Sequence, residues 1–182
     1  MKIAQIRKMD ISNGEGIGIS IFTQNCPYHC QHCHNVSTWA ANGGQEYSKS
    51  DKKKILELIQ PEYITRFSIL GGEPLLPQNV CQLFDLVQTI REVKPTISIW
   101  LWTGTTIEAI KQFLSNQECD DKTFVSLGWT DENKRDLFNL LMECDYVIDG
   151  RFEEDKKDLT LKWRGSSNQK IWDALALHTY LE

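Results

Sequence analysis

Apolar positions along the chain fall into two alternating kinds of run. GISIFTQ (18–24), RFSIL (66–70), TISIWLW (96–102) and DYVID (145–149) are short, β-branched and aromatic, and predict strands, DYVID being the last clear one. Between them, apolar residues recur at helical spacing. Ile55, Leu58 and Ile59 share one face of KKKILELIQ, behind a Ser50-Asp51 cap and ahead of Pro61. Val80, Leu83, Phe84, Val87 and Ile90 make a second stripe, closed by Pro95. IEAIKQFL follows a Thr105-Thr106 cap, and Leu137, Leu140 and Leu141 lie behind a cap at Thr130 or Asp131.

The alternation of strand and helix, with strands that lack strict polar alternation, predicts an α/β fold with a parallel sheet covered by helices. No repeat or linker divides residues 1–182, so one domain is expected. Ligands in such folds collect at the carboxyl ends of strands. Four distinctive segments fall there: the cysteine-rich loop after residue 24, Gly71-Gly72-Glu73-Pro74, Thr103-Gly104-Thr105, and the end of DYVIDG. Asp10-x-x-Asn13-Gly14-x-Gly16 reads as a turn with no strand before it and no helix after it, not as a nucleotide loop.

Composition narrows the function classes. Of 182 residues, 41% are hydrophobic and 25% charged, as in ordinary globular protein. The net charge of −5 argues against broad nucleic-acid binding, which draws on excess Lys and Arg. No run of eighteen apolar residues predicts a membrane span, and MKIAQIRKMD has no secretory h-region, so a cytoplasmic protein is expected. Six cysteines without an export signal read as reduced, with Cys81, Cys119 and Cys144 packed as small hydrophobes.

CPYHCQHCHN (26–35) crowds three cysteines and three histidines into ten positions. Cys26-x3-Cys30-x2-Cys33 can hold three corners of a cubane iron–sulfur cluster, leaving one iron without a protein ligand. Zinc is the rival, with one of His29, His32 or His34 completing a Cys3His site. Spacing alone leaves the two open. In GGEP, two glycines permit close backbone approach, Pro74 fixes the exit, and Glu73 offers a carboxylate suited to a ligand ammonium group.

CxxxCxxC and GGEP together, in this order and on this background, resemble the radical S-adenosylmethionine (SAM) enzymes. NGEGIGISIFTQNC, HNVSTW and the tail YVIDGRFEEDKKDLTLKWRGSSNQKIWD are further similar to the activating proteins of anaerobic ribonucleoside-triphosphate reductases, over residues 10 to 173. The resemblance implies a single-domain partial (βα) barrel of radical SAM type, with parallel strands and outer helices. It implies a [4Fe-4S] cluster on Cys26, Cys30 and Cys33 in a loop spanning 25–36, and SAM on the open iron. It places His32, Cys33 and His34 along the adenine, Gly71, Gly72 and Glu73 at the methionine end, and Thr103 and Thr105 near ribose or carboxylate. A flavodoxin- or ferredoxin-like donor would supply the electron that cleaves SAM. The resulting 5′-deoxyadenosyl radical would take hydrogen from one glycine of the reductase's glycyl-radical subunit, so no protein general base is expected. Residues from about 150 to 182 would face that partner, with Trp163, Arg164, Ser166, Ser167 and Asn168 meeting its glycine loop. Three positions depart from the family pattern: Asn25 stands where glycine commonly precedes the first cysteine, Gly18 where arginine is common, and His32 where a small or aromatic residue is usual. The segment 115–129 is longer than the compact family needs. An activase for a pyruvate formate-lyase type of enzyme, a small-molecule radical SAM enzyme such as a deazaguanine-ring synthase, and a zinc-stapled binding module are the alternatives.

Overall fold

The expected strands and helices form, in the computed structural model of residues 1–182, one seven-stranded sheet. In chain order the strands are β1 (Lys2–Asp10), β2 (Ile17–Thr23), β3 (Gln45–Glu46), β4 (Ile64–Gly71), β5 (Ser98–Trp102), β6 (Tyr146–Asp149) and β7 (Lys170–Asp173). The helices are α1 (Lys49–Leu58), α2 (Pro77–Val93), α3 (Ile107–Leu114), α4 (Lys122–Val125), α5 (Asp131–Met142) and α6 (Ala174–Leu181). Sheet order is β3-β1-β2-β4-β5-β6-β7. The central β2, β4, β5 and β6 run parallel, as alternation with helices requires. The wholly parallel expectation fails at both edges, where β1 and β7 pair antiparallel to their neighbours. No helix is long and apolar enough to cross a membrane.

β1 escaped the hydrophobic pattern for a physical reason. Its apolar residues Ile3, Ile6 and Met9 do not alternate, and its pairing with β2 shifts register between Ile3 and Gln5 and again between Arg7 and Asp10. The segment 10–16 is thus a hairpin connection with a strand on each side, which corrects the expectation that no strand precedes it. The cap of α1 likewise moves to Ser48, which shares a capping box with Asp51.

Register assigns the two faces of the sheet different chemistry. Ile21, Ile69, Leu101 and Val147 form one row across it and join a core of 29 buried residues beneath the helices. The next row, Ser20, Ser68, Trp100 and Tyr146, faces the other way. On that second face Trp100 stacks on Tyr146 at 4.2 Å and meets Trp163 edge-on at 4.8 Å. The central strands β2, β4, β5 and β6 are buried on both sides, apolar towards the helices and largely polar or aromatic opposite them.

One buried ion pair organises that second face. Arg66 and Asp10 are 0% and 2% exposed. Arg66 Nη2 donates to Asp10 O at 2.5 Å, Nη1 donates to Ser68 Oγ at 2.8 Å, and the guanidinium lies 3.9 Å from the Asp10 carboxylate. That carboxylate also accepts from Ser12 N, Ser12 Oγ, Asn13 N, Asn13 Nδ2 and Ser20 Oγ. Burial alone would raise the Asp10 carboxyl, but the hydrogen bonds from Ser20, Ser12 and Asn13 bring it down to about 2. Gly14, at φ +112°, crosses above: a Cβ there would stand 2.6 Å from Arg66 Cδ and 2.8 Å from Trp100.

Because the folded-state value lies below the ordinary one, Asp10 stabilises the fold above about pH 4, and that contribution fades as pH falls towards 2. Urea titrations are expected to show a loss of about 2 kcal/mol over this window. Asp10→Asn should cost about 2–3 kcal/mol at neutral pH by leaving Arg66 unpaired, and should flatten the acid slope. An unchanged slope would remove Asp10 from its place in this network.

Candidate functional site

The carboxyl ends of β2, β4, β5 and β6 open on one cavity of about 390 Å³. Cys26, Cys30 and Cys33 line it, with Gly71, Gly72 and Glu73 after β4, Thr103 and Gly104 after β5, and Gly150 to Phe152 after β6. The four strand-end segments therefore meet in one place.

The cysteine loop is seated by backbone. Asn25 N donates to Thr38 O and Cys26 N to Trp39 O, while Gly72 N donates to Thr23 O and Glu73 N to Asn25 O at 2.7 Å. The glycines of GGEP approach this loop rather than open space. A Cβ on Gly72 would lie 2.2 Å from Asn25 O, and one on Gly71, at φ +117°, 2.6 Å from Thr23 N. Within the loop, Cys33 N donates to Cys30 O and Asn35 N to Cys33 Sγ at 3.3 Å. Burial and the nearby Glu73 charge push the Cys26 thiol up to about 12. Burial also raises Cys30, opposed by the Phe152 N–H and the Arg151 guanidinium. Thiols held this way become thiolates by binding a metal, with proton release.

Asn25, His29 and His32 have φ of +81°, +47° and +57°. Asn and His are among the non-glycine residues that most often occupy this left-handed region. Asn25 thus meets a requirement that the family's glycine meets more cheaply. The histidines likewise have a backbone role: His29 stacks on Trp39 at 4.7 Å, and all three imidazoles sit on exposed residues. No three His, Cys, Asp or Glu side chains converge as they would around a single ion.

Glu73 is 1% exposed, and its carboxylate is held from three sides. Leu75 N donates to Oε1 at 2.9 Å, Thr103 Oγ1 to Oε1 at 2.8 Å, and Gly104 N to Oε2 at 2.8 Å. Burial raises its pKa to about 7, against those three donors. The side chain expected to reach a ligand is thus first a brace between the β4 and β5 ends, with one lone pair of Oε2 remaining.

The other anticipated residues divide. His34 and Thr103 reach the cavity, whereas His32 is exposed away from it, and Thr105 is buried behind it with its hydroxyl on Tyr28 Oη. Trp163 and Arg164 line the cavity, but Ser166 is fully buried with its Oγ accepting from Glu153 N. Much of WRGSSNQ is internally bonded. Gly165 N and Ser166 N donate to Gln169 Oε1, Arg164 Nη1 donates to Gln169 O, and Asn168 Nδ2 donates to Arg151 O. Ser167 is exposed, though its N–H donates to Lys156 O.

The 4Fe-4S single cluster domain family matches residues 12–172. Curated relatives extend this over nearly the whole chain. The anaerobic ribonucleoside-triphosphate reductase-activating protein of Escherichia coli K12 is 35% identical over 173 residues, 94% of this chain and 97% of the relative. The proteins of the same description from Vibrio cholerae and Enterobacteria phage T4 are 32% and 31% identical, over 94% of this chain. The chain belongs to this 4Fe-4S family.

Within this 4Fe-4S domain, sequence reasoning passed over Tyr28, Arg151, Phe152, Ser12, Asn13 and Gln169. Tyr28 packs on Gly104, where a Cβ would come within 2.5 Å of its ring, and the Arg151 guanidinium lies 4.2 Å from the centroid of that ring. Tyr28 stands inside CPYHC, and Arg151 directly follows the glycine that ends DYVIDG, so position was the available signal. Cys119 and Cys144 are buried as expected, whereas Cys81 lies exposed on α2.

Asn25→Gly should leave stability within a few tenths of a kcal/mol, whereas Asn25→Ala should cost about 1 kcal/mol in urea unfolding of the metal-free protein. Equal stability of the two variants would show that the left-handed backbone at 25 carries no constraint. Glu73→Ala orphans three buried donors and should cost about 3 kcal/mol. A loss below about 1 kcal/mol would return Glu73 to a ligand-only role.

Proposed function

We propose that this chain is a radical SAM activase that generates the glycyl radical of an anaerobic ribonucleoside-triphosphate reductase. The cavity carries the reading: three thiols stand around a space large enough for a cluster and a second ligand, with a buried carboxylate facing it. Cys26, Cys30 and Cys33 are soft donors without a fourth cysteine beside them, which suits a [4Fe-4S] cluster with one open iron. When bound, the cluster and SAM supply the reductive cleavage whose 5′-deoxyadenosyl fragment removes hydrogen from glycine.

The protein's own part is placement and shelter. The Glu73 carboxylate favours the cationic amino end of SAM, and a cation there offsets the burial cost of the carboxylate. Gly71, Gly72 and Thr103 shape that end, while His34 and Cys33 border the adenine side. His32 and Thr105 act from behind, through loop conformation and through Tyr28. Trp102, Trp163 and Arg164 line the cavity together with the cysteines, and a glycine-bearing segment of the partner would enter against them. Ser167, Asn168 and Ser166 brace that wall. On this reading, residues 1–182 are a single radical SAM domain whose one-sided helical layer makes a partial (βα) barrel. A flavodoxin- or ferredoxin-like protein delivers the electron.

Anaerobic reconstitution followed by mixing with SAM, a low-potential reductant and the reductase should give a glycyl radical seen by electron paramagnetic resonance. Cys30→Ala should bind little iron and abolish SAM cleavage. A colourless wild-type protein holding one zinc and no sulfide would end this reading. SAM cleavage without any radical on the reductase would instead move the assignment to another partner.

A further inference from the structure

The segment 115–129 is firmly built, although the expected function gives it no task. Phe124 and Trp129 pack on Phe113 of α3, each with ring centroids 5.3 Å from it, and Trp129 Nε1 donates to Phe124 O. Cys119 Sγ contacts Ala109 O at 3.3 Å. This anchoring presents Asp121, which caps α4 by accepting from Phe124 N at 3.1 Å. Asp121 Oδ1 also accepts from Arg151 Nη2 at 2.8 Å, and the Asp121 side chain is only 10% exposed.

Arg151, whose side chain is 43% exposed, has one further side-chain contact and one through its backbone. Its guanidinium lies over the Tyr28 ring, 4.2 Å from the centroid, and its carbonyl accepts from Asn168 Nδ2 at 2.8 Å. It shares the cavity wall with Cys30 and precedes Phe152, whose ring meets His34 edge-on at 6.1 Å. A guanidinium is always charged, so it stands as a fixed positive charge beside the cysteine loop, with Asp121 as its counter-charge. Glu73 is the carboxylate that lines the cavity itself, whereas Asp121 reaches it only through Arg151.

We propose that the Asp121–Arg151 pair, presented by the 115–129 segment, sets the reduction potential of the cluster held by the cysteine loop. This rests on the functional reading above. Reduction takes one electron from a low-potential donor and adds one negative charge at the loop. A cation nearby favours that reduced state, and an anion opposes it. Arg151 and Asp121 are positioning residues with opposite electrostatic effects, and neither is required to touch a ligand.

The test is potentiometric titration of the reconstituted protein without SAM, poised with titanium(III) citrate and followed by electron paramagnetic resonance, with iron and sulfide assayed in parallel. Arg151→Gln leaves Asp121 uncompensated and should lower the midpoint potential by about 59 mV, a tenfold loss in the one-electron equilibrium. Arg151→Lys should restore most of that shift. Asp121→Asn keeps the oxygen that caps α4 and accepts from Arg151, but removes the charge, and should raise the potential. A purely structural role would not move the two variants in opposite directions. Potentials unchanged, or shifted the same way in both with full cluster content, overturn the proposal alone. Wild-type protein that takes up no iron and sulfide overturns the functional reading and the proposal with it. If Arg151→Gln loses iron, Asp121→Asn still decides by the sign of its shift, with Arg151→Lys expected close to the wild-type potential.

Discussion

A carboxylate with almost no exposure holds this site together. Glu73 joins the end of β4 to the end of β5 through Thr103 and Gly104, and its own N–H joins both to the cysteine loop at Asn25. Burying a charge is costly unless hydrogen bonds compensate, and here the compensating donors come from two different strand ends. The arrangement of the site therefore depends on the sheet register that brings those ends level. Because β2, β4 and β5 are parallel neighbours, their carboxyl ends lie side by side, and a single side chain can bridge them.

The same economy explains the glycines and the left-handed residues. Gly71 and Gly72 permit two chain segments to touch backbone to backbone, and the cysteine loop takes a left-handed step at Asn25, His29 and His32 to place its thiols around the cavity. The histidine-rich look of CPYHCQHCHN then owes more to tolerance of positive φ than to metal ligation. Tight backbone seating leaves Cys26 largely buried and near Glu73, which disfavours its free thiolate and makes a metal the natural counter-charge.

The central strands, the four longer predicted helices and the meeting of four strand ends were legible in the sequence because burial there follows simple periods. β1 was not, since two register shifts scramble its alternation, and neither was β7, which is only four residues long and mostly exposed. Glu73 could be named from its motif, but its three donors could not, because Leu75, Thr103 and Gly104 meet only in the folded sheet. The WRGSSNQ tail suggested free donors. Folding spends several of them on Gln169, whose side chain bonds back to Gly150 and turns the tail into a wall of the cavity. Arg151 was hidden for a similar reason, since its partner Asp121 lies in a segment without periodicity.

Gly18 shows how a departure from a family pattern can be absorbed. The family resemblance implies an arginine at that position on β2, where this chain has glycine. Register pairs Gly18 with Arg66 on β4. A Cβ on Gly18 would stand 2.8 Å from Arg66 O and 2.9 Å from Arg66 Nε, so the space is already taken. Arg66 fills that space from β4. From there it meets Asp10 and carries the turn that places Ser12 and Asn13 on the cavity. Asp10 is buried there as an anion, and two cations approach its carboxylate, Arg7 at 3.8 Å and Arg66 at 3.9 Å. A side chain returned to position 18 alone would compete with Arg66 for one volume, so the two positions are coupled and can change only together.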